Sequence, residues 1–190
     1  KGHKEPKRAD YLANGEVKPE SLDDFELGWN YSTTNFRLKT NLYYMNYVDQ
    51  LVLTGTIDDV GNPIADNIGN SYRLGLEIDA VVRFSDKFMW QPNLALSTNK
   101  NIDKYYEFDG ELTNFGNTDL AYSPSFIAAS NIRYQPIENF QISLLSKYVG
   151  DQYMSNLALE ASKLEAYFVN DLQISYEINT EKLFKSIVFT

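Results

Sequence analysis

Three observations predict an all-β chain, folded as an antiparallel up-and-down meander that forms one stretch of a membrane-spanning β-barrel wall. The strands alternate between apolar and polar residues, the connections alternate between short and long, and aromatics gather at the strand ends. The segment Tyr72 to Phe84 gives the clearest alternation. Its even positions are Tyr72, Leu74, Leu76, Ile78, Ala80, Val82 and Phe84, and its odd positions are Arg73, Gly75, Glu77, Asp79, Val81 and Arg83. Successive side chains point to opposite faces of a strand, so one face is apolar and the other carries every charge. That apolar face is long and aromatic at both ends, as expected of a wall facing lipid.

The first strand is predicted at about 22–32, with Phe25, Leu27, Trp29 and Tyr31 on the apolar face and Glu26, Gly28 and Asn30 opposite. Thr33-Thr34-Asn35 makes a tight turn. The second strand, about 36–47, presents Phe36, Leu38, Leu42 and Tyr44 against Arg37, Lys39 and Asn41. A polar loop follows, with Asp58-Asp59-Val60-Gly61-Asn62-Pro63 and Gly69-Asn70 as turn signals. The third strand, 71–84, ends at the turn Ser85-Asp86-Lys87. The fourth, 88–98, carries Trp90, Leu94 and Leu96 outward. Pro92 lies inside it and lacks a ladder donor, so a bulge is expected there.

A second polar loop covers about 99–120. The fifth strand is placed at about 121–135, with Phe126, Ala128, Ile132 and Tyr134 outward and Asn131 and Arg133 inward. Pro136 to Asn139 turns the chain into the sixth, 140–149. A third loop at about 150–165 contains Leu157 to Leu164, which suits a short helical turn. The seventh strand is 166–178. Ser186 to Thr190 reads as an eighth strand cut off after its first residues. Tight turns fall on one rim and long loops on the other, as in a meander; a Greek-key sandwich would mix connection lengths.

One aromatic tier, including Trp29, Tyr31, Phe36, Phe84, Trp90, Tyr134, Phe140 and Tyr176, lies by the tight turns. A second comprises Tyr44, Tyr72, Tyr122 or Phe126, Tyr148 and Phe168. At a rise of ~3.3 Å and a tilt of ~40°, the separation Phe36–Tyr44 or Tyr72–Phe84 covers roughly 20–30 Å, which brackets the apolar band of a barrel.

Composition narrows the function. The formal charge of −9 argues against nucleic-acid binding. Loop 49–70 has four acids and no base, loop 99–121 five acids and two bases, and loop 149–166 three acids and one base. These loops account for the whole net charge, so the acidity belongs to one rim. The chain has no cysteine, which excludes disulfides and thiolate metal sites. No apolar run is long enough for a transmembrane helix, and Lys1 onward is no signal peptide. No Ser/His/Asp set, phosphate loop or isolated acid pair points to catalysis, so the chain is read as a non-enzyme.

Several runs carry a resemblance. Lys18 to Tyr31 (KPESLDDFELGWNY) resembles the "KPE-x-L-x-D-[WFY]-E-L-G" hairpin of TonB-dependent outer-membrane receptors, and His3 to Arg8 (HKEPKR) resembles the "H-R-E-P-x-R" segment upstream of it. Asn41 to Gly55, Ser71 to Glu77 and Gly150 to Met154 continue the similarity, which is strongest to receptors of Bacteroidota. Lys4 and Lys7 depart from the usual residues around the Glu-Pro pair. The resemblance implies that residues 1–190 are one partial barrel domain of about seven to eight strands. The plug domain, the energy-coupling box and the closing strands lie outside it, in a parent of 22 strands.

The implied parent imports a scarce nutrient (an iron siderophore, haem, cobalamin or a glycan) across the outer membrane of a Gram-negative bacterium. Its partners would be outer-membrane lipid, the nutrient, the plug and the TonB complex, with no cofactor. The isolated segment, with open edges, is expected to self-associate. Tyr105, Tyr106, Phe108 and Asp109 mix aromatics and acid in a long loop, a composition that suits gripping a ligand by stacking and hydrogen bonds; packing among the loop residues themselves is the alternative. His3 lacks partners at metal spacing, and Asp58-Asp59 lacks the spaced acids of a calcium loop, so no metal site is assigned. Two other readings fit the alternation: a passive pore or small eight-stranded barrel, and a soluble β-sandwich that binds glycans or cells.

Overall fold

The computed structural model describes residues 1–108 and 111–177, with the side chains of all of these except 53–56, 107 and 108. The elements run β1 (Gly2–Lys4), α1 (Arg8–Ala13), β2 (Glu20–Ser32), β3 (Phe36–Val48), β4 (Leu51–Ile57), β5 (Pro63–Asn67), β6 (Ser71–Ser85) and β7 (Phe88–Asn101). Then follow β8 (Tyr105–Phe108), β9 (Glu111–Asn114), β10 (Thr118–Asp119), β11 (Phe126–Ile137), β12 (Phe140–Val149) and β13 (Gln152–Tyr153). A 3-10 turn at Glu160–Ser162, β14 (Lys163–Leu164) and β15 (Tyr167–Tyr176) complete the described chain. The predicted eighth strand, 186–190, lies outside the described residues.

The long strands pair as neighbours in the order β1-β2-β3-β6-β7-β11-β12-β15, all antiparallel, with β10 added to the end of β7. Among the described residues β1 and β15 do not pair, so they do not close a small barrel. The register keeps the two faces apart across the whole sheet. Leu27 pairs with Leu42, Leu42 with Leu76 and Leu76 with Leu96. Trp90 pairs with Ile132, Ile132 with Leu144 and Leu144 with Leu172. Three residues along from the leucine row, Asn30, Lys39, Asp79 and Asn93 form a polar row. A one-residue slip of any strand would exchange the faces, so the pattern itself fixes the register.

Nothing within the described chain covers the apolar face: Leu27 is 71% exposed and Leu172 65%. Among the described residues the buried hydrophobic core consists of Val17, Leu51, Ala65, Leu120 and Val149, all toward the rim of long loops. A β-sandwich would bury this face under a second sheet. Neighbouring strands bring rings together within each aromatic tier. At the turn rim Tyr31 lies 6.1 Å from Phe36, Phe84 5.4 Å from Phe88 and Phe140 6.4 Å from Tyr176. At the loop rim Tyr44 lies 6.4 Å from Tyr72, and Phe126 5.5 Å from Tyr148.

Four details differ from the sequence reading. Pro92 makes no bulge. Asp79 pairs with Asn93 and Val82 with Trp90 in one register, and the ladder with β6 simply skips the residues opposite Pro92 and Gln91. The irregularities fall instead beside the turns, between Arg83 and Ser85 and between Tyr134 and Ile137. The fifth strand starts at Phe126, not near 121, because Tyr122 takes a left-handed φ of 53° and its amide donates to the Tyr153 carbonyl. The polar loops are not irregular throughout, since β4–β5 and β8–β9 are hairpins. The segment before β2 climbs beside it as β1 and adds α1 to the loop rim. The helical turn expected within 157–164 appears as the 3-10 turn.

Candidate functional site

The loop rim is where side chains from distant parts of the chain converge. Its first piece is a small lobe, α1 packed on the β4–β5 hairpin around the buried cluster Val17, Leu51 and Ala65. Asp10, in the first turn of α1, is the latch and is only 2% exposed. Its carboxylate accepts the Lys7 amide and the Ala65 amide, both at 2.7 Å. Asn14 donates to Asp66 at 3.0 Å, the Lys18 amide to Asn67 at 2.7 Å, and the Leu51 amide to Glu20 at 2.7 Å. An ionised carboxylate that takes two amide protons binds more strongly than a neutral acceptor would.

The amide bond from Ala65 holds the Asp10 carboxyl below its ordinary value of 3.8; burial opposes this and the Lys7 amide adds to it. A folded value below the unfolded one gives stability that is full above the unfolded value and lost as pH falls through the folded value. Hydrogen exchange in 8–13 and 63–67 of the intact protein, corrected for intrinsic rates, should therefore stay slow down to about pH 4 and quicken below it. Exchange in the wall strands should hold over the same range. Equal quickening in both regions would rule out Asp10 as the latch.

A chain of buried polar groups joins this lobe to the second and third loops. Ser71 donates to Gln50 at 2.5 Å, and the Ile102 amide to the Asn70 carbonyl at 2.8 Å. Asn101 is fully buried and donates through Nδ2 to Thr118 Oγ1 at 3.0 Å and to the Asn156 carbonyl at 3.3 Å. Thr118 donates to that same carbonyl at 2.6 Å, and Asn156 Oδ1 accepts the Ala121 amide at 2.9 Å. Ion pairs Lys100–Asp119 (2.6 Å) and Lys163–Asp151 (3.2 Å) brace the loop bases. The Asp151 bond raises the Lys163 ammonium, whereas burial pushes Lys104 down against the pull of Asp66. All three loops and the leading segment are thus linked into one hydrogen-bonded rim.

Below the rim, the polar face of the sheet forms a concavity of about 340 Å³, lined by Glu26, Asn41, Tyr43, Arg73, Glu77 and Asn99 among others. The Tyr43 ring lies across Gly75, its direct partner on β6. Arg73 sits 5.4 Å over the Tyr47 ring. The concavity therefore offers acids, a guanidinium and aromatic faces together.

Of the loop residues singled out from sequence, Tyr105 and Tyr106 are on β8, 52% and 46% exposed. As strand neighbours they point to opposite faces of the β8–β9 hairpin. Phe108 contributes its backbone, paired with Glu111, and Asp109 lies outside the described residues. His3 pairs with Ser21 in the wall. Asp58 organises a turn: its carboxylate takes the Val60 amide and both the amide and side chain of Asn62, which lower its pKa. Sequence reasoning missed Asp10, Gln50, Ser71, Asn101 and Asn156. Their partners are remote in the chain, and the sequence reading assigns no helix to Arg8–Ala13.

A family profile described as TonB dependent receptor-like, β-barrel, matches residues 6–189. Among solved structures the chain is similar to the ferric yersiniabactin uptake receptor FyuA from Yersinia pestis, with TM-score 0.64 and 18% identity, over 84% of this chain and 23% of that one. It is similar to the siderophore receptor PiuA from Acinetobacter baumannii, with TM-score 0.65 and 18% identity, over 86% and 23%. It is similar to the copper transporter OprC, with TM-score 0.68 and 16% identity, over 93% and 27%. The chain spans about a quarter of the length of these structures. The profile covers nearly every residue, and the paired register, two-faced wall and aromatic tiers agree with it: the chain belongs to the TonB-dependent receptor-like β-barrel family.

Proposed function

We propose that this chain is a wall segment, with its outer loops, of a receptor that imports a scarce nutrient across the outer membrane of a Gram-negative bacterium, with no enzymatic activity of its own. The observation that carries the reading is the hydrogen-bonded loop rim standing over a polar wall. Such a rim holds a capture surface in place above a lumen, and binding sites sit where polar groups converge in a concavity. The nutrient is read as an iron siderophore, haem, cobalamin or a glycan; of the structurally similar proteins named above one is a ferric yersiniabactin uptake receptor, one a siderophore receptor and one a copper transporter. The apolar face would meet lipid, the short turns would face the periplasm, and the plug, the TonB complex and the closing strands would complete the transporter. The source is read as a bacterium of the Bacteroidota type, from the sequence runs that resemble those receptors.

Tyr105, Tyr106, Phe108 and Asp109 are the proposed ligand contacts of the second loop. Replacing 104–116 in the full receptor by a short turn should lower affinity at least tenfold for whichever of a ferric siderophore, haem, cobalamin or oligosaccharide panel binds the parent. Each buried aromatic contact contributes on the order of 1 kcal/mol or more. Unchanged affinity with the barrel still folded would remove this loop from the capture surface.

A further inference from the structure

Asn14-Gly15 is the only Asn-Gly pair in the chain, and it closes α1 at the edge of the rim lobe. This dipeptide carries its own chemistry. With no Cβ on the second residue, its amide nitrogen can approach the carboxamide carbon of the first. Gly15 is exposed, and its N–H takes part in no hydrogen bond among the described residues. Nothing lies within 4 Å of where its Cβ would stand. The nucleophile is therefore free.

The electrophile is tied down. Asn14 Nδ2 donates to Asp66 at 3.0 Å, and Oδ1 accepts the Glu16 amide at 3.0 Å. The backbone of Asn14 is held too: its N–H donates to the Asp10 carbonyl at 2.8 Å, and its carbonyl accepts the Val17 amide at 3.2 Å. With ψ at 104°, the Gly15 nitrogen stands on the side of the Cα–C bond away from Cβ, whereas a five-membered ring needs it on the Cβ side. Ring closure therefore requires this turn to open, and with it the anchorage of Val17 in the cluster with Leu51 and Ala65.

We propose that Asn14 is a self-modification site, silent while the lobe is docked and converted to aspartate or isoaspartate once α1 opens. The Gly15 nitrogen attacks Asn14 Cγ and gives up its proton to hydroxide. The Cγ–Nδ2 bond breaks, ammonia leaves with a proton from water, and a succinimide ring remains. Water then opens the ring, at the side-chain carbonyl to give aspartate or at the main-chain carbonyl to give isoaspartate. No oxidant or reductant enters. The new carboxylate at position 14 replaces a donor to Asp66 by a like charge. Lys104, the cation that Asp66 attracts, can balance only one of the two. Isoaspartate also lengthens the backbone inside the turn. A lobe that opens long enough to react therefore no longer docks as before, and the modification records the opening.

The test ages the full-length receptor at mildly alkaline pH and reads the peptide around Asn14 by mass spectrometry, with isoaspartate separated by chromatography. Conversion is expected to be slow in the parent and about fivefold or more faster in Asp10→Asn, which weakens the latch and raises the open population. The urea-unfolded chain should react fastest. Gly15→Ala, for which the fold has room, should stay slow in every state. Hydrogen exchange in 8–13 verifies that Asp10→Asn opens the lobe, and Val17→Ala takes its place if that variant stays closed or does not fold. Equal rates in docked and opened lobes, or no conversion in urea, overturns the proposal. Asn14→Asp should quicken exchange in 8–13 and 63–67 at neutral pH. Adding Asp66→Asn, which restores the bond with donor and acceptor exchanged, should slow it again. Unchanged exchange in Asn14→Asp, or no rescue by the pair, overturns the one-way step.

Discussion

A lysine at Leu76 is expected to destabilise the full receptor in lipid by about 2–4 kcal/mol, the cost of a cation at mid-depth on a barrel's lipid face. Leu76 sits in the centre of the apolar row, between Leu42 and Leu96. No acid shares that row, and the polar groups of the next residue, Glu77, point to the other face. Glu77→Lys, one residue away, should change stability by under about 1 kcal/mol, because that side chain stays in a wet lumen. Urea unfolding from vesicles would show the contrast between neighbours. Similar small costs at both positions would mean that the face assignment is wrong, since no other feature of the sheet distinguishes them.

Adding one methyl group at Gly75 is expected to cost about 1–3 kcal/mol, the usual penalty for overpacking a close contact. A Cβ built on Gly75 would run into the hydroxyl end of the Tyr43 ring. Glycine is needed for this close approach, not for an unusual backbone angle. The ring must lift away in Gly75→Ala, and the concavity lined by Glu26, Arg73 and Glu77 changes shape with it. In the pair Gly75→Ala with Tyr43→Ala the two losses should not add, because removing the ring also removes the clash. Thermal unfolding of the four receptors in detergent measures the cycle. Strict additivity would show that the ring does not rest on Gly75.

The wall was legible in the sequence because its information is local. Between Tyr72 and Phe84 all the even positions are apolar and every charge is odd, and the pairing of Leu76 with Leu42 and Leu96 only repeats what the alternation says. Alternation also misled. It ran on through Tyr122, where a left-handed residue and a bond to Tyr153 end the pattern, and Pro92 was absorbed without a bulge. The rim was not legible. Asp10 meets Ala65 and Asn101 meets Asn156 across 55 residues in each case, and polar side chains at such distances carry no period. The proposed ligand contacts fall in the same blind region, since a loop's composition says what it can grip but not which side chains converge.

The small cluster of Val17, Leu51 and Ala65 gives the rim a different thermodynamic character from the wall. That cluster is held by the exclusion of water, so its strength follows the ordinary hydrophobic effect, weakening in the cold and in urea. On the receptor reading, the wall's apolar side would have no water to exclude among acyl chains, and its integrity would come from ladder hydrogen bonds that lipid cannot replace. A single chain would then answer to two solvents. Cooling, or mild denaturant, should loosen the loop rim while leaving the wall beneath it standing.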